Sequence, residues 1–299
     1  MNQSLAYHVV VHALEGRAGW TPMSRFASVV AHTIDGHLTY ERYNAAGCSR
    51  AAQGAKETQI EQAVREFFAL DLAPGVRLIG GLSSPAGIVE GFNEYNASAG
   101  VAVRTSVSMP AAGGRAPVVV ARREMRVEAA DPAPCRIGTL ALFEALISNA
   151  ERNARNSQPP TLQTLSGLAR ELGVEGSAAG EVALVFESEG AMPIAELARK
   201  LGCHPRSLAR KLQSEGLTAE AIRSAARIVR ASDRLVSEDS LTTIAMEEGF
   251  ADLAHMTRSF KLSAGMQPSL LRRLVRADES ARSANTAGFK PNPFSVVKN

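Results

Sequence analysis

The residues best placed to do chemistry in the first half of the chain are Arg122, Glu124 and Arg126, within the run VVVARREMRVEA at 118–129. Val119, Ala121, Met125 and Val127 alternate with them, as on a strand with one apolar and one charged face. Guanidiniums at i and i+4 on a strand stand ~13 Å apart at the backbone and can converge on one large anion. A guanidinium also bonds the O6 and N7 edge of guanine bidentately and stacks on purine rings. A nucleotide anion would suit the pair. A solvated strand face, with Glu124 bridging both arginines, would read the same way, and both alternatives stand. Arg123 points to the opposite face and reads as structural or peripheral. The segment NASAG at 96–100 adds Asn96 and Ser98 as polar companions. The same Arg-x-x-x-Arg spacing recurs at Arg206/Arg210, Arg223/Arg227, Arg230/Arg234 and Arg272/Arg276. Those copies fall in helical sequence, so only the strand copy is a ligand candidate.

The elements that would position these residues divide the chain in two. YHVVVHAL (7–14), RFASVVAHT (25–33) and HLTYERY (37–43) read as strands, with Asp35-Gly36 as a hairpin turn. Further strands are expected at 76–82, 101–109 and 118–129. ETQIEQAVREFFAL (57–70) has helical spacing at Ile60, Ala63, Phe67 and Leu70. After the break DPAP (131–134), a helix at 139–154 carries the stripe Leu140, Phe143, Ile147 and Ala150, which could pack on its own chain or on a second copy. ARNSQPPT (154–161) reads as a linker. From about Ser177 the sequence is helical throughout. The last stretch, rich in Ala, Ser and Asn, reads as a frayed tail.

The helical half contains two similar units. IAELARKLGCHPRSLARKLQSEG (194–216) has the pattern helix, glycine turn, helix, with Pro205 in the first turn of the second helix. LTTIAMEEGF (241–250) followed by ADLAHMTRSFKLSAG (251–265) repeats it, and AEAIRSAARIVRASDRLV (219–236) joins the two. The second helix of such a unit can lie in the ~12 Å major groove of DNA. Two units ~34 Å apart can enter successive groove segments on one face, with outward basic side chains against phosphates. The candidate contacts are Arg206, Ser207, Ala209, Arg210 and Lys211 in the first unit. In the second they are Leu253, Ala254, Thr257, Arg258 and Lys261. Arg227, Arg230 and Arg234 read as a solvated face with an internal bridge to Asp233 or Glu238. His255 reads as a surface or phosphate-contacting residue.

Over roughly 178–273 the sequence resembles the AraC/XylS family of bacterial transcription regulators. The second unit carries Ile244-Ala245, Gly249-Phe250, Met256, Arg258, Phe260, Gly265, Pro268 and Arg272. The first carries Leu197-Ala198, Leu201-Gly202, Pro205-Arg206, Leu208, Arg210, Leu212 and Gly216. Arg227, Ala231 and Leu235 fit the connecting helix. The resemblance implies an activator that binds double-stranded DNA and works with RNA polymerase, and that has an N-terminal effector-binding and dimerising domain of cupin or jelly-roll type. The sequence departs from the family in having His204 and Ala251 at the usual Ser or Thr caps, at about 1 kcal/mol each. Ala209, Leu253 and Ala254 replace residues that are commonly polar. Base reading would therefore rest on Arg206 and Arg210, while the second unit contacts phosphates and thymine methyls.

The Arg122/Arg126 spelling also resembles the c-di-GMP motif of PilZ domains, whose companion [DN]xSxxG is approached by Asn96, Ser98 and Gly100, with the order of the two motifs reversed. This makes c-di-GMP the favoured effector. A sugar, an organic anion or no ligand at all are the alternatives.

Other classes are disfavoured by composition. Net charge is only +3, so any DNA footprint must be local. The three cysteines, Cys48, Cys135 and Cys203, lie far apart and make neither a zinc spacing nor the reactive pocket of an alkyl-transfer enzyme. His8 and His12 could share a strand face, and His32 and His37 lack the His-x-His spacing. No metal site or other cofactor is expected. No run is apolar enough for a membrane span, no signal peptide opens the chain, and a reduced, cytoplasmic setting fits. The expected fold is α+β. Residues 1–135 form a β-rich effector domain, 136–176 a dimerisation helix and linker, 177–275 a double helix-turn-helix domain, and 276–299 a flexible tail of a non-enzymatic homodimer.

Overall fold

In the computed structural model, the described residues are 4–5, 8–16, 19–98, 103–108, 118–125, 131–155, 163–285 and 295–296. At 4–5, 118–120, 281–285 and 295–296 this holds for the backbone only. The first half comprises β1 (Ser4–Leu5), α1 (His8–Glu15), α2 (Pro22–Ile34), β2 (Leu38–Thr39), α3 (Tyr40–Ala52) and α4 (Glu57–Ala69). It continues with α5 (Pro74–Gly80), α6 (Pro85–Ser98), the strands β3 (Val103–Ser108) and β4 (Val118–Met125), and α7 (Ala133–Arg155). β1 pairs antiparallel with β2, and β3 antiparallel with β4 in the register Thr105↔Arg123. A short parallel strand, β5 (Ser295–Val296), pairs with β4.

The N-terminal half is therefore helical, and the expectation of a β-rich barrel is corrected. No barrel occurs among the described residues. Three of the expected strands are helices, and a fourth is helix after its first residues; in α2, α3 and α5 a capping side chain or a first-turn proline marks the start. Thr21 accepts from the Ser24 amide, Ser24 accepts in return, and Pro22 opens α2. Thr39 caps α3, and Pro74 opens α5. In α2 the buried residues Phe26, Val30 and Thr33 lie at helical, not alternate, spacing. The valine run of α1 is buried on every side against α3, α4 and α7. A short continuous apolar run is compatible with a strand or a buried helix.

The stripe on α7 is occupied by its own chain. Phe143, Ile147 and Ala150 are buried among α1, α4 and α6 and Leu140 is half-buried, so most of the stripe is covered within the chain. The expected tail is corrected over 276–285. The chain continues as one helix, α15, through Pro268–Asn285. The buried Asp278 on it accepts from the amides of Ser83 and Ser84 and from the Ser83 hydroxyl, at 2.8–2.9 Å, just before α6. Residues 286–294 and 297–299 lie outside the described set.

The helical register of α1 and α2 collects histidines that a strand reading keeps apart. His12 Nε2 lies 2.5 Å from His32 Nε2, and His8 Nε2 lies 2.5 Å from Asp71 Oδ2. Burial, reinforced by His32, His8 and Arg42, lowers the His12 pKa to about 2. Burial and His8 lower that of His32 to about 4, opposed by Asp71. Both imidazoles are neutral when folded near pH 7, one donating to the other. Their unfolded pKa is about 6.5, so below that pH the unfolded chain binds the extra protons. The stability they contribute is complete above about pH 6.5 and falls as pH drops towards their folded values, at up to ~1.4 kcal/mol per pH unit for each ring. The urea midpoint is expected to fall clearly between pH 7.5 and pH 5. An unchanged midpoint would contradict this account. Among the described residues no group of three or more His, Cys, Asp or Glu is arranged to hold a metal ion.

Candidate nucleic-acid interface

The second half contains α8 (Leu165–Glu171), α9 (Ala178–Glu189), α10 (Ile194–Lys200), α11 (Pro205–Ser214), α12 (Ala219–Asp233), a 3-10 turn (Arg234–Val236), α13 (Leu241–Glu247), α14 (Leu253–Ala264) and then α15. α10 and α11 meet at Gly202, and α13 approaches α14 through Gly249. Both glycines have positive φ, 63° and 79°, where a side chain would be strained. Leu197, Ala198, Leu208 and Leu212 pack the first pair onto α9 and α12. Ile244, Ala245, Phe250, Met256 and Phe260 pack the second. What remains outward is the opposite face of α11 and α14.

On α11 that face presents Arg206, Ala209, Arg210 and Lys211 exposed, with Ser207 half-buried. On α14 it presents Ala254, Arg258 and Lys261. Two candidates on α14 are less available than the sequence suggested. Leu253 is half-buried against the core, and the Thr257 hydroxyl donates to the Leu253 carbonyl at 2.8 Å. The caps expected to be lost are present. His204 Nδ1 accepts from the Arg206 amide at 3.2 Å. Asp252, not Ala251, caps α14 by accepting from the His255 amide, and His255 Nδ1 accepts in return from the Ala251 amide at 3.1 Å. His255 is thus part of the cap.

The cations divide into two groups. Arg230 binds Glu248 at 2.7 Å and the Glu187 carbonyl at 2.9 Å. Arg234 binds Asp239, Glu247 and Glu248, which replaces the expected bridges to Asp233 or Glu238. Arg272 bonds the carbonyls of Leu235 and Asp239, and Arg276 reaches Glu238 and the Ser237 carbonyl. Arg227 lies over the Phe250 ring. These arginines hold the domain together. Arg206, Arg210, Lys211, Arg258 and Lys261 have no acidic partner among the described residues, and all five are exposed on the two outward faces. This is the local basic footprint that the small net charge requires.

Residues 197–274 match the family described as a helix-turn-helix domain. They form an AraC-type helix-turn-helix domain. It marks the chain as a DNA-binding transcription regulator. No curated protein sequence matches the chain. Among solved structures, the transcriptional regulator CdpR from Pseudomonas aeruginosa aligns over 84% of this chain and 96% of its own, at 15% identity and a TM-score of 0.31. Likeness at that level carries no argument about fold or ligand. Among the described residues, no helix is long and apolar enough to cross a membrane.

The helix-turn-helix domain is docked on the N-terminal half. The Gly36 amide donates to the Leu262 carbonyl at 3.0 Å, and His37 Nδ1 lies 2.7 Å from the same oxygen. A Cβ on Gly36 would sit 2.3 Å from the Ser263 carbonyl oxygen. Asp35-Gly36 is thus a seat for the end of α14 and not a hairpin turn.

The strand candidates are not brought into one site. Arg122 and Glu124 are exposed on the outer face of the β3–β4 pair, and Arg126 lies outside the described residues. Asn96 is fully buried, its amide joining the Phe92 carbonyl to the Thr105 amide. Ser98 lines a different groove, beside Lys261 and Arg273. Arg123 faces inward, as expected of a structural residue.

Proposed function

We propose that the protein binds specific DNA sites through α11 and α14, activates transcription, and answers to a small organic effector held by its N-terminal half. The observation that carries the DNA part is the sorting of cations. The arginines around the connecting helix are paired or stacked, and the three arginines and two lysines on the two recognition faces are not. Unpaired surface cations release counterions when they meet phosphates, which gives a measurable salt slope. Contact with RNA polymerase and pairing of two copies on adjacent half-sites belong to the same proposal. Because most of the α7 stripe is covered within the chain, pairing would use another surface.

The test is fluorescence anisotropy of the full chain with a labelled duplex over a salt series. Affinity is expected to fall steeply with salt. Arg258→Ala and Lys261→Ala are each expected to weaken binding similarly on all sequences and to lower the slope by about one. Binding that is absent at low salt, or slopes unchanged in both variants, would refute the reading.

A further inference from the structure

A groove of about 580 Å³ opens beside the C-terminal end of α14, where α6 of the N-terminal half packs along α15. α6 is anchored at its start, where the Ser83 and Ser84 amides donate to Asp278 of α15. Further along the same two helices, Glu94 meets Arg273 at 3.6 Å. The groove is lined by Glu94 and Ser98 from α6, Lys261 from α14, and Gln267, Ser269 and Arg273 from the start of α15 and the turn before it. Both halves of the chain therefore build it.

Lys261 ties this groove to the second recognition face. It follows Ala254 and Arg258 at helical spacing, and the three share one exposed stripe. A helix with its side chains is ~10–12 Å across, about the width of the major groove, so a helix lying there has phosphate strands along its flanks. α15 packs on α14, α5 and α6, whereas the first unit packs on α9 and α12. The groove thus lies at the second unit's end of the footprint, away from α11.

The single acid does not cancel the cations. At 3.6 Å the Glu94–Arg273 contact is longer than a charge-assisted hydrogen bond of ~2.7–2.9 Å. The two side chains are 39% and 61% exposed, and an exposed pair of this kind contributes little. A phosphate oxygen can therefore replace Glu94 on Arg273 at small cost. Lys261 has no acidic partner among the described residues.

We propose that this groove holds the phosphate strand of the DNA that flanks the second unit. Lys261 and Arg273 neutralise phosphates, Ser98, Gln267 and Ser269 supply neutral donors, and Glu94 competes with phosphate for Arg273. The N-terminal half is then part of the DNA interface, and Glu94 sets how tightly the flank is held. The inference rests on the DNA-binding reading and extends the footprint beyond α11 and α14.

The test uses the full chain and two labelled duplexes with the same selected operator. One ends at the edge of the second unit's site, and the other continues for about five base pairs, roughly half a turn. On the longer duplex Arg273→Ala is expected to weaken binding by about threefold or more and to lower the salt slope by about one. Ser98→Glu, which places a carboxylate in the groove from the N-terminal half, is expected to weaken the longer duplex likewise. Glu94→Gln is expected to tighten it, and to have no effect once Arg273→Ala is present. On the shorter duplex all three changes should matter little, and thermal melting without DNA should match the parent. An unchanged salt slope in Arg273→Ala, equal losses on the two duplexes, or no response to both Ser98→Glu and Glu94→Gln would overturn the inference. If Arg258→Ala and Lys261→Ala weaken binding while these variants do not, this inference alone fails. If the parent chain binds neither duplex at low salt, the DNA-binding reading itself fails.

Discussion

Replacing Arg206 and Arg210 together by alanine is expected to weaken binding to an operator duplex, recovered by selection from random sequence, by about 10²-fold or more. Binding to random duplex should weaken far less. Each bidentate arginine–guanine contact discriminates by about 1–3 kcal/mol, whereas loss of a phosphate contact acts evenly on all sequences. Both arginines are exposed and project from a helix whose buried side is fixed by Leu208 and Leu212. The His204 cap on the Arg206 amide uses only backbone at position 206 and survives the change. Stability should therefore change little, and circular dichroism melting provides the control. The asymmetry between the units follows from α14, where Leu253 is half-buried and the Thr257 hydroxyl is bonded within the helix. That leaves Arg258 and Lys261 as the charged groups on its outer face. Equal losses on operator and random duplex would show that Arg206 and Arg210 hold DNA without reading it.

The helix-turn-helix half was legible because its signals are local and redundant. Gly202 and Gly249 occupy positions that need positive φ, and Leu208/Leu212 and Met256/Phe260 repeat at helical spacing. The N-terminal half was misread where β-branched composition outweighed capping. Val9–Val11 suggested a strand, although helix packing on every side makes such a run equally at home in a buried helix. Thr21-Pro22 and Ala73-Pro74 were helix starts in plain view. The misreading then hid the site chemistry. Only in helices do His8 and His12 lie one turn apart and both meet the His32 ring, and only the packed chain brings Arg77 to Asp233, far away in sequence. The contacts that fasten the two halves, Asp278 to Ser83 and Ser84 and Leu262 to Gly36 and His37, leave no local pattern at all.

The other large effect falls on the neighbour of the strand's ligand candidate. Arg123→Ala is expected to destabilise the protein by about 3–5 kcal/mol, the range for removing one partner of a buried ion pair. Arg122→Ala, one residue away, should stay within about 0.5 kcal/mol, as surface changes do. The strand pleat makes the difference. Arg122 is exposed opposite Ser106, whereas Arg123 turns inward, where Nε and Nη2 bond the two oxygens of Asp131 at 2.9 Å each. Nη1 donates to Thr105 Oγ1 at 3.0 Å, and Nη2 also donates to the Tyr43 hydroxyl at 3.1 Å. That hydroxyl lies 3.2 Å from both the Cys135 carbonyl and Thr139 Oγ1 on α7. One guanidinium thus ties the β3–β4 pair, α3 and the start of α7 together. Burial raises the Tyr43 pKa, with Arg123 opposing, and pushes the Cys135 thiol up to about 12, so both stay neutral and add no charge to the network. Truncation leaves Asp131 without its cation, and most of the loss is that stranded carboxylate. The double variant Arg123→Met with Asp131→Leu should therefore recover part of the stability in urea unfolding. If Arg123→Ala costs no more than Arg122→Ala, the inward network is not what holds the hairpin, and the strand's charged face would have to be reconsidered as the functional one.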